Sequence, residues 1–217
     1  MNSGLAPGAC EMFGNPFARQ APPPGPSTLL FVCTGNICRS PLAEKVLRSR
    51  LNADAAAPRF QVMSAGLHAV VGSPMDTIPA TIAARAGADP EHAGTQISRS
   101  HVEVSSLIIT MTRDQLDELV LEYPIAMKRT FTLTEIVRIL EELPSEVPAP
   151  GSAPSRTIFD VATDASRSRS LLTKRGTIDV EDPFRRSLAT HERVGAQIID
   201  LTNRLADALT SSPSYGN

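Results

Sequence analysis

The chain has 217 residues, 41% of them hydrophobic, which suffices for the core of one medium-sized domain and is too little for two full ones. A formal net charge of -2 excludes a general electrostatic attraction to nucleic acid or to anionic membranes, so any affinity for phosphate must be local. No apolar run reaches the ~18 residues of a membrane span, and the N-terminus lacks the charged start and apolar block of a signal peptide. We therefore expect a cytoplasmic protein that does not insert into membranes.

Short apolar runs alternate with amphipathic stretches along most of the chain. Residues 1–27 are rich in proline and glycine without any periodicity, which predicts a disordered tail. The run Thr28–Val32 predicts a strand buried on both faces, and Pro41–Leu51 predicts a helix that Ser40 could cap. Strand and helix then alternate at 60–66 and 75–87, at 105–111 and 112–123, and more weakly at 127–131 and 132–143, before a last helix over roughly 187–210.

This alternation predicts a single α/β domain over residues 28–210, with a four-stranded parallel sheet covered by helices on both faces. Ligands of such sheets bind at the carboxyl ends of the strands, and the loop after the first strand lies at such an end. The order fails between Leu143 and Gly176, where no element is predicted. Because so long a structureless segment is unusual inside a compact domain, residues 144–176 are expected to be either a functional lid or a disordered insertion, and residues 211–217 a C-terminal tail.

The loop between the first strand and the first helix has the composition of a phosphate-binding site. Cys33 ends the strand and Arg39 follows six positions later; the residues between them are Thr34, Gly35, Asn36, Ile37 and Cys38. A loop of this size at a helix N-terminus can turn successive N–H groups toward a dianion, and the guanidinium of Arg39 can grip two phosphate oxygens. The same field favours the thiolate of Cys33, which would face the phosphorus of a bound phosphate.

Other interpretations of this loop compete with a phosphate cradle. Arginine is common in this chain, so the Cys-x5-Arg spacing alone is weak support for a phosphate-binding loop. The strand before the loop and the helix that starts with a proline after it strengthen that interpretation. The phosphate-binding loop of nucleotide hydrolases is excluded because its Gly-Lys-Ser/Thr ending is absent. A Cys-x-x-Cys redox pair is excluded because four residues separate Cys33 from Cys38. An ordinary turn remains, with Cys33 as a small buried hydrophobe.

Phosphoryl transfer to sulfur needs an acid that protonates the leaving oxygen. The stretch "IDVEDPF" at 178–184 offers Asp182, which the following proline biases toward an extended conformation in a loop. An Asp-Pro pair by itself is more often a plain turn. Asp182 becomes a candidate acid only together with the loop at Cys33.

The two stretches together resemble one protein family. "VCTGNICRSPLAEKVL" resembles the phosphate-binding loop of the low-molecular-weight protein tyrosine phosphatases, and "DVEDPF" is similar to their acid-bearing loop. The resemblance extends over about 28–143 and 177–209 and includes "SAG" at 64–66. It implies a flavodoxin-like, phosphotyrosine phosphatase I-like three-layer sandwich. It also implies that Cys33 is the nucleophile, Arg39 the phosphate clamp and Asp182 first the general acid and then the base, without a metal or organic cofactor.

Further positions carry over from the same resemblance. Residues 34–40 would bind the phosphate, with Asn36 and Ser40 holding the loop and assisting the nucleophile. Ser64 and His92 match residues of the supporting network. Cys38 corresponds to the partner of a reversible disulfide that protects the nucleophile from irreversible oxidation, and inert packing is its alternative role.

The rim of the expected pocket departs from many family members. "LHAVVGSPMD" has no aromatic side chain apart from the imidazole of His68, which we interpret as a solvated loop residue, and Phe184 alone follows the Asp-Pro. These stretches look closer to bacterial members that act on autophosphorylated tyrosine kinases of capsule and exopolysaccharide export. The expected ligands are therefore a phosphotyrosyl protein, such as a kinase of this type, and phosphate or another oxyanion, bound by a monomer.

Two alternative functions use the same loop. Arsenate reduction is one of them, but only with an external small thiol, because residues 39–217 contain no further cysteine for an internal relay. A non-catalytic phosphate-binding regulatory module is the other, and the joint presence of Cys33, Arg39 and Asp182 disfavours it.

Overall fold

A computed structural model describes residues 27–53, 60–142, 158–172 and 177–210 of the chain. The strands in these residues are β1 Ser27–Cys33, β2 Phe60–Gly66, β3 Ser105–Thr110 and β4 Thr130–Thr132. The helices are α1 Arg39–Ala53, α2 Thr77–Arg85, α3 Arg99–Val104, α4 Arg113–Glu122, α5 Leu133–Glu142, α6 Ile158–Leu172 and α7 Leu188–Thr210, with a 3-10 helix at Pro124–Arg129. The strands form one parallel sheet in the order β2–β1–β3–β4, which confirms the predicted fold class.

The position of β1 in the sheet explains its composition. Leu29 and Phe31 point into one hydrophobic cluster and Leu30 and Val32 into another on the opposite face, and all four are fully buried. A strand covered on both faces needs an uninterrupted apolar run, as predicted. Since β1 lies between β2 and β3, Cys33 ends the strand at the point where the strand order reverses, which is where ligands of open α/β sheets bind.

Helices cover the two faces of the sheet in separate layers. One cluster joins the sheet to α1, α2, α5, α6 and α7, through side chains such as Leu47, Ile136 and Leu205. The second joins it to α3, α4 and the 3-10 helix through Val102, Leu119 and Ala126 respectively. The architecture is therefore a three-layer sandwich.

Segment 158–172 corrects the expectation for residues 144–176. These residues form α6, whose Ile158, Ala162 and Ala165 belong to the hydrophobic core, so this part of the segment is a core element and not a lid or a disordered insertion. Arg169 in α6 contacts Glu135 of α5 at 2.8 Å and stacks on the Phe131 ring at 4.3 Å. Sequence reasoning missed the helix because alanines make up part of its buried face, which weakens the amphipathic pattern. The remaining residues of the segment and the two predicted tails lie outside the described residues, except for Ser27, which begins β1.

Local chemistry explains the other differences from the predicted elements. The strand predicted at 127–131 is shorter and begins later, at Thr130–Thr132, because Pro124 begins a 3-10 helix that continues to Arg129. Ser98 caps the short helix α3, which was not predicted. Ser40 does not cap α1 but lies in its first turn. In the described part of the chain, no helix is long and apolar enough to cross a membrane.

Candidate active site

The loop between β1 and α1 has its carbonyl oxygens turned away from its centre. The carbonyls of Cys33, Thr34, Gly35, Asn36 and Ile37 all accept hydrogen bonds from outside the loop; the donors are the N–H groups of Leu67 (2.9 Å), His68 (2.9 Å), Val70 (3.0 Å) and Asp76 (2.8 Å), and the Nε2 of His92 on Asn36 (2.7 Å). With the carbonyls held outward, the peptide N–H groups of the loop can converge on its centre, at the N-terminus of α1. This is the backbone arrangement that binds an oxyanion.

The loop lies against the end of β2 closely enough to require a glycine there. A Cβ atom on Gly66 would lie 2.6 Å from the carbonyl oxygen of Thr34. No real side chain tolerates such a contact, so the last residue of "SAG" has a packing role. This close approach allows Leu67 and His68 to donate to the loop carbonyls.

Asn36 organises the loop from within. Its backbone has a φ of 54°, in the left-handed region that asparagine tolerates better than most residues, and its side chain is fully buried. Nδ2 donates to Ser40 Oγ at 3.0 Å and to Ser64 Oγ at 2.9 Å, while Oδ1 accepts from Thr95 N at 2.8 Å. The structure thus brings together the supporting residues predicted from sequence, Asn36, Ser40, Ser64 and His92.

Glu44 extends this network and was not predicted. Ser64 Oγ donates to Glu44 Oε2 at 2.5 Å, and Arg48 contacts the other carboxylate oxygen at 2.7 Å. Charged residues of a helix normally lie on its solvent-exposed face, whereas Glu44 is only 5% exposed. Its spacing of four residues from Ser40 places both on one side of α1, and this spacing is the signal that could have identified it.

Gln115 of α4 is a second contact that the sequence did not reveal. Its Nε2 donates to Thr34 Oγ1 at 3.0 Å, and its Oε1 accepts from the N–H groups of Met111 (3.1 Å) and Thr112 (3.2 Å). The Gln115 side chain therefore connects the loop between β1 and α1, called the phosphate-type loop below, to the carboxyl end of β3.

The Cys33 sulfur lies at the bottom of this loop, with the residue only 2% exposed. Ser40 Oγ is 3.0 Å from Sγ, and Asn36 N donates to Sγ at 3.3 Å. Because Ser40 Oγ already accepts from Asn36 Nδ2, its own hydrogen is available for the sulfur, with the Ala65 carbonyl a more distant acceptor at 3.5 Å. Both groups lie within hydrogen-bond distance of the sulfur.

Arg39 and Asp182 meet across the mouth of the loop. An Nη2–Oδ2 contact of 2.8 Å joins them, although 143 positions separate them in the chain, and Arg39 Nη1 also donates to the Val180 carbonyl at 3.2 Å. The guanidinium is almost completely buried, and its Nε has no partner within the described residues. A buried, unpartnered donor is costly, so this one is suited to a ligand oxygen.

The segment that carries Asp182 is anchored on the sheet before the aspartate. Val180 N donates to the Met111 carbonyl at 2.8 Å, and Asp179 Oδ1 accepts from Arg113 N at 2.8 Å. Asp182 itself is half exposed, with 51% of its side chain accessible. The aspartate therefore reaches the loop from a fixed base while remaining open to solvent.

The second loop cysteine, Cys38, has a different environment from Cys33. It is buried, and its thiol donates to Asp76 Oδ2 at 3.8 Å. Burial first and the Asp76 carboxylate second raise the pKa of Cys38 to about 12, so it is a neutral thiol at physiological pH. Both cysteines are free thiols in the structure, and the reversible disulfide between them stays a prediction.

Comparison with known proteins identifies the family. A family model described as "Low molecular weight phosphotyrosine protein phosphatase" matches residues 28–172, more than half of the chain. The chain belongs to this family. Because the match ends before residue 177, the placement of Asp182 beside the low molecular weight phosphatase loop rests on the contact with Arg39.

Curated relatives of this low molecular weight phosphatase carry two kinds of name. A protein-arginine-phosphatase from Geobacillus stearothermophilus is 33% identical over 112 residues, which are 52% of this chain and 72% of that protein. The low molecular weight protein-tyrosine-phosphatase Etp from Escherichia coli K12 is 40% identical over 91 residues, 42% of this chain and 57% of that protein. A solved structure of the arginine phosphatase YwlE from Geobacillus stearothermophilus matches with a TM-score of 0.60 and 26% identity, covering 85% of this chain and 93% of that one.

Proposed function

We propose that this member of the family hydrolyses phosphotyrosine in proteins through a cysteinyl-phosphate intermediate. The observation that carries the proposal is the joint placement of Cys33, Arg39 and Asp182 around one oxyanion-type loop. Each of the three supplies something that the reaction needs: a nucleophile, a charge clamp and a proton.

In the first step, the phosphate of the substrate lies on the loop N–H groups and on the guanidinium of Arg39. The Cys33 thiolate attacks phosphorus and the bond from phosphorus to the phenolic oxygen breaks. Asp182, in its protonated form, gives its proton to that oxygen, so tyrosine leaves neutral. The 2.8 Å contact between Arg39 and Asp182 supports this role, because it holds the carboxyl group at the mouth of the loop, where a leaving group would be.

In the second step, a water molecule attacks the phosphorus of the cysteinyl phosphate through its oxygen. The Asp182 carboxylate takes a proton from that water molecule during the attack. The bond from sulfur to phosphorus breaks and inorganic phosphate is released. The sulfur leaves as a thiolate, and Ser40 Oγ and Asn36 N are the donors in place to stabilise it. No oxidant or reductant is consumed in either step.

The depth of Cys33 below the surface and the apolar side chains at the entrance of the pocket support an aryl phosphate as the substrate. Cys33 is 2% exposed, so the long phenyl group of phosphotyrosine reaches it more easily than the short side chain of phosphoserine. Apolar side chains are exposed around the entrance, namely Val70 on the loop that contacts Gly35, and Phe184 two residues after Asp182. A flat apolar ring gains from contact with such groups.

Phosphoarginine is the second candidate substrate, because the 33% identical relative is named a protein-arginine-phosphatase. A guanidinium leaving group carries several N–H donors that need acceptors at the rim. The rim carboxylates already have partners, since Glu118 contacts His68 at 2.8 Å and Asp182 contacts Arg39. We therefore place phosphotyrosine first.

The deciding experiment measures phosphate release from phosphotyrosyl, phosphoarginyl and phosphoseryl peptides of one sequence, and from p-nitrophenyl phosphate. Chelator and reductant are present, and wild type is compared with Cys33→Ser. We expect phosphotyrosine to be preferred and all activity to be lost in the variant. A preference for the phosphoarginyl peptide would transfer the assignment to the second candidate. Reduction of arsenate by a small thiol, without any phosphatase activity, would overturn both.

We further propose that the protein acts in the cytoplasm as a monomer on a phosphotyrosyl protein such as a bacterial tyrosine kinase. The support is the resemblance of "SAGLHAVVGSPMD" and "DPFRRS" to family members of that kind. Dephosphorylation of a purified autophosphorylated tyrosine kinase, followed with an antibody to phosphotyrosine, tests the partner. Sedimentation equilibrium tests the monomer.

A further inference from the structure

The turn that follows Asp182 lies beside the proposed pocket. Phe184 N donates to Asp182 Oδ1 at 3.2 Å, while the other oxygen of that carboxylate contacts Arg39. Arg186 N donates to the Pro183 carbonyl at 2.9 Å, which closes the turn. Residues 184–186 are therefore tied, through one carboxylate, to the residue that would hold the phosphate.

This turn carries two exposed cations. Arg185 and Arg186 are both solvent-exposed, and the Arg185 guanidinium lies 5.1 Å from the centre of the Phe184 ring. Among the described residues neither arginine forms a salt bridge: Glu181 pairs with Arg193 and Asp182 with Arg39, and Arg186 acts on Glu181 only through a longer-range charge interaction. The chain is slightly acidic as a whole, so this positive charge is a local feature of the pocket rim.

The backbone of the turn does not favour an arginine at its tip. Arg185 has a φ of 59°, a left-handed conformation that glycine and asparagine adopt more readily. If only the left-handed backbone conformation mattered at this position, glycine or asparagine would fit it better than arginine. The observation therefore points to the side chain of Arg185, held in place over the Phe184 ring, as the useful part of this position.

Apart from the longer-range interaction of Arg186 with Glu181, the other rim groups do little to compensate this charge. His68 Nε2 contacts Glu118 Oε1 at 2.8 Å, and Val70 and Val71 are exposed apolar residues. A peptide that places its phosphotyrosine on the loop would run past Arg185 and Arg186 within roughly 10 Å, the span of about three extended residues.

We propose that Arg185 and Arg186 select phosphotyrosyl substrates with aspartate or glutamate within about three residues of the phosphotyrosine. The inference rests on the proposed function and adds the substrate sequence to it. Opposite charges on a solvated rim contribute moderately to affinity and more to the rate of encounter, so the effect belongs in kcat/KM.

The test compares two phosphotyrosyl peptides that differ only in Asp/Glu against Asn/Gln on both sides of the phosphotyrosine. Four variants are measured beside wild type: Arg185→Asn, which keeps a residue that tolerates the backbone; Arg185→Lys, which keeps the cation; Arg186→Gln; and the double variant Arg185→Asn/Arg186→Gln. Lys128→Gln is the matched control, because Lys128 is an exposed cation at the opposite end of the sheet. It removes one positive charge, as each neutral single variant does, without touching the rim.

For wild type we expect kcat/KM about tenfold higher for the acidic peptide at low salt, with the preference falling as ionic strength rises. The double variant should reduce the ratio to less than twofold, Arg185→Lys should retain most of it, and Lys128→Gln should leave it unchanged. A ratio near one in wild type, or an unchanged ratio in the double variant, overturns the inference.

Failure of this inference can be told apart from failure of the proposed function. Wild type that hydrolyses the neutral peptide and p-nitrophenyl phosphate without preferring the acidic peptide keeps the function and refutes the selection by arginine. Wild type that hydrolyses none of the three refutes the proposed function, and the inference with it.

Discussion

The phosphate-type loop and the segment that bears Asp182 differ in how firmly they are held. In the loop, Asn36 is fully buried and every carbonyl from residue 33 to residue 37 has a donor outside the loop. The acid-bearing segment is anchored at Val180, but Asp182 beyond it is half exposed. Groups that stabilise charge are most effective when they are fixed in advance, whereas the surroundings of the acid must let the leaving group out and a water molecule in between the two steps. The two regions should therefore respond differently to substitution.

The largest effect is expected for Cys33→Ser. A serine hydroxyl at this position is a far poorer nucleophile than a thiolate, so we expect kcat to fall on the order of 10⁴-fold or more. The loop donors remain, so binding of inorganic phosphate, measured by calorimetry, should change little. Loss of phosphate binding together with turnover would mean that the loop itself had been disturbed.

Asp182→Ala should come next and should depend on the leaving group. Loss of a general acid slows a substrate with a poor leaving group, such as phenyl phosphate, by roughly 10²–10⁴-fold, and p-nitrophenyl phosphate much less. Glu181→Gln is the matched control, since Glu181 is the adjacent exposed acid and contacts Arg193. Equal slowing of both substrates by Asp182→Ala would remove the acid role.

Asn36→Ala tests how far the fixed loop depends on its internal network. It removes three hydrogen bonds, two of them buried, and leaves alanine at a φ of 54°, so we expect the free energy of unfolding to fall by about 3 kcal/mol. Turnover should fall about 10–100-fold because the loop loses its support. Urea denaturation and steady-state kinetics measure the two effects, with exposed Asn52→Ala as the control. A stability change below about 0.5 kcal/mol would contradict the role assigned to Asn36.

The smallest effect concerns Cys38 and its pH dependence. With its pKa raised to about 12 from the ordinary 9.0, Cys38 should resist iodoacetamide through pH 10, and Asp76→Asn should accelerate its alkylation by lowering that pKa. Peptide mass spectrometry at a series of pH values measures the rate of Cys38 alkylation in wild type and in Asp76→Asn. Because the folded-state pKa is the higher one, stability from the neutral thiol is complete below about pH 9 and is lost toward pH 12. Rapid alkylation of Cys38 at pH 8 in the folded wild type would contradict this environment.

Sequence patterns sufficed where the chemistry is local. The apolar run of β1, the helix after Pro41 and the loop from Cys33 to Ser40 are contiguous, so spacing and composition identify them. Patterns failed where partners are distant or the signal is weak. Helix α6 was missed because alanines make up part of its buried face, and Glu44 was missed because a charged helix residue normally faces solvent.

The sequence by itself determined the α/β class, the position of Cys33 and Arg39 at the end of a buried strand, and the candidate acid before a proline. Tertiary structure alone decided that Asp182 meets Arg39 at 2.8 Å, and that Ser64, Thr95 and His92 converge on Asn36. The physical reason is the parallel sheet. It brings the carboxyl ends of strands far apart in the chain to one edge, and no local pattern records which side chains meet there.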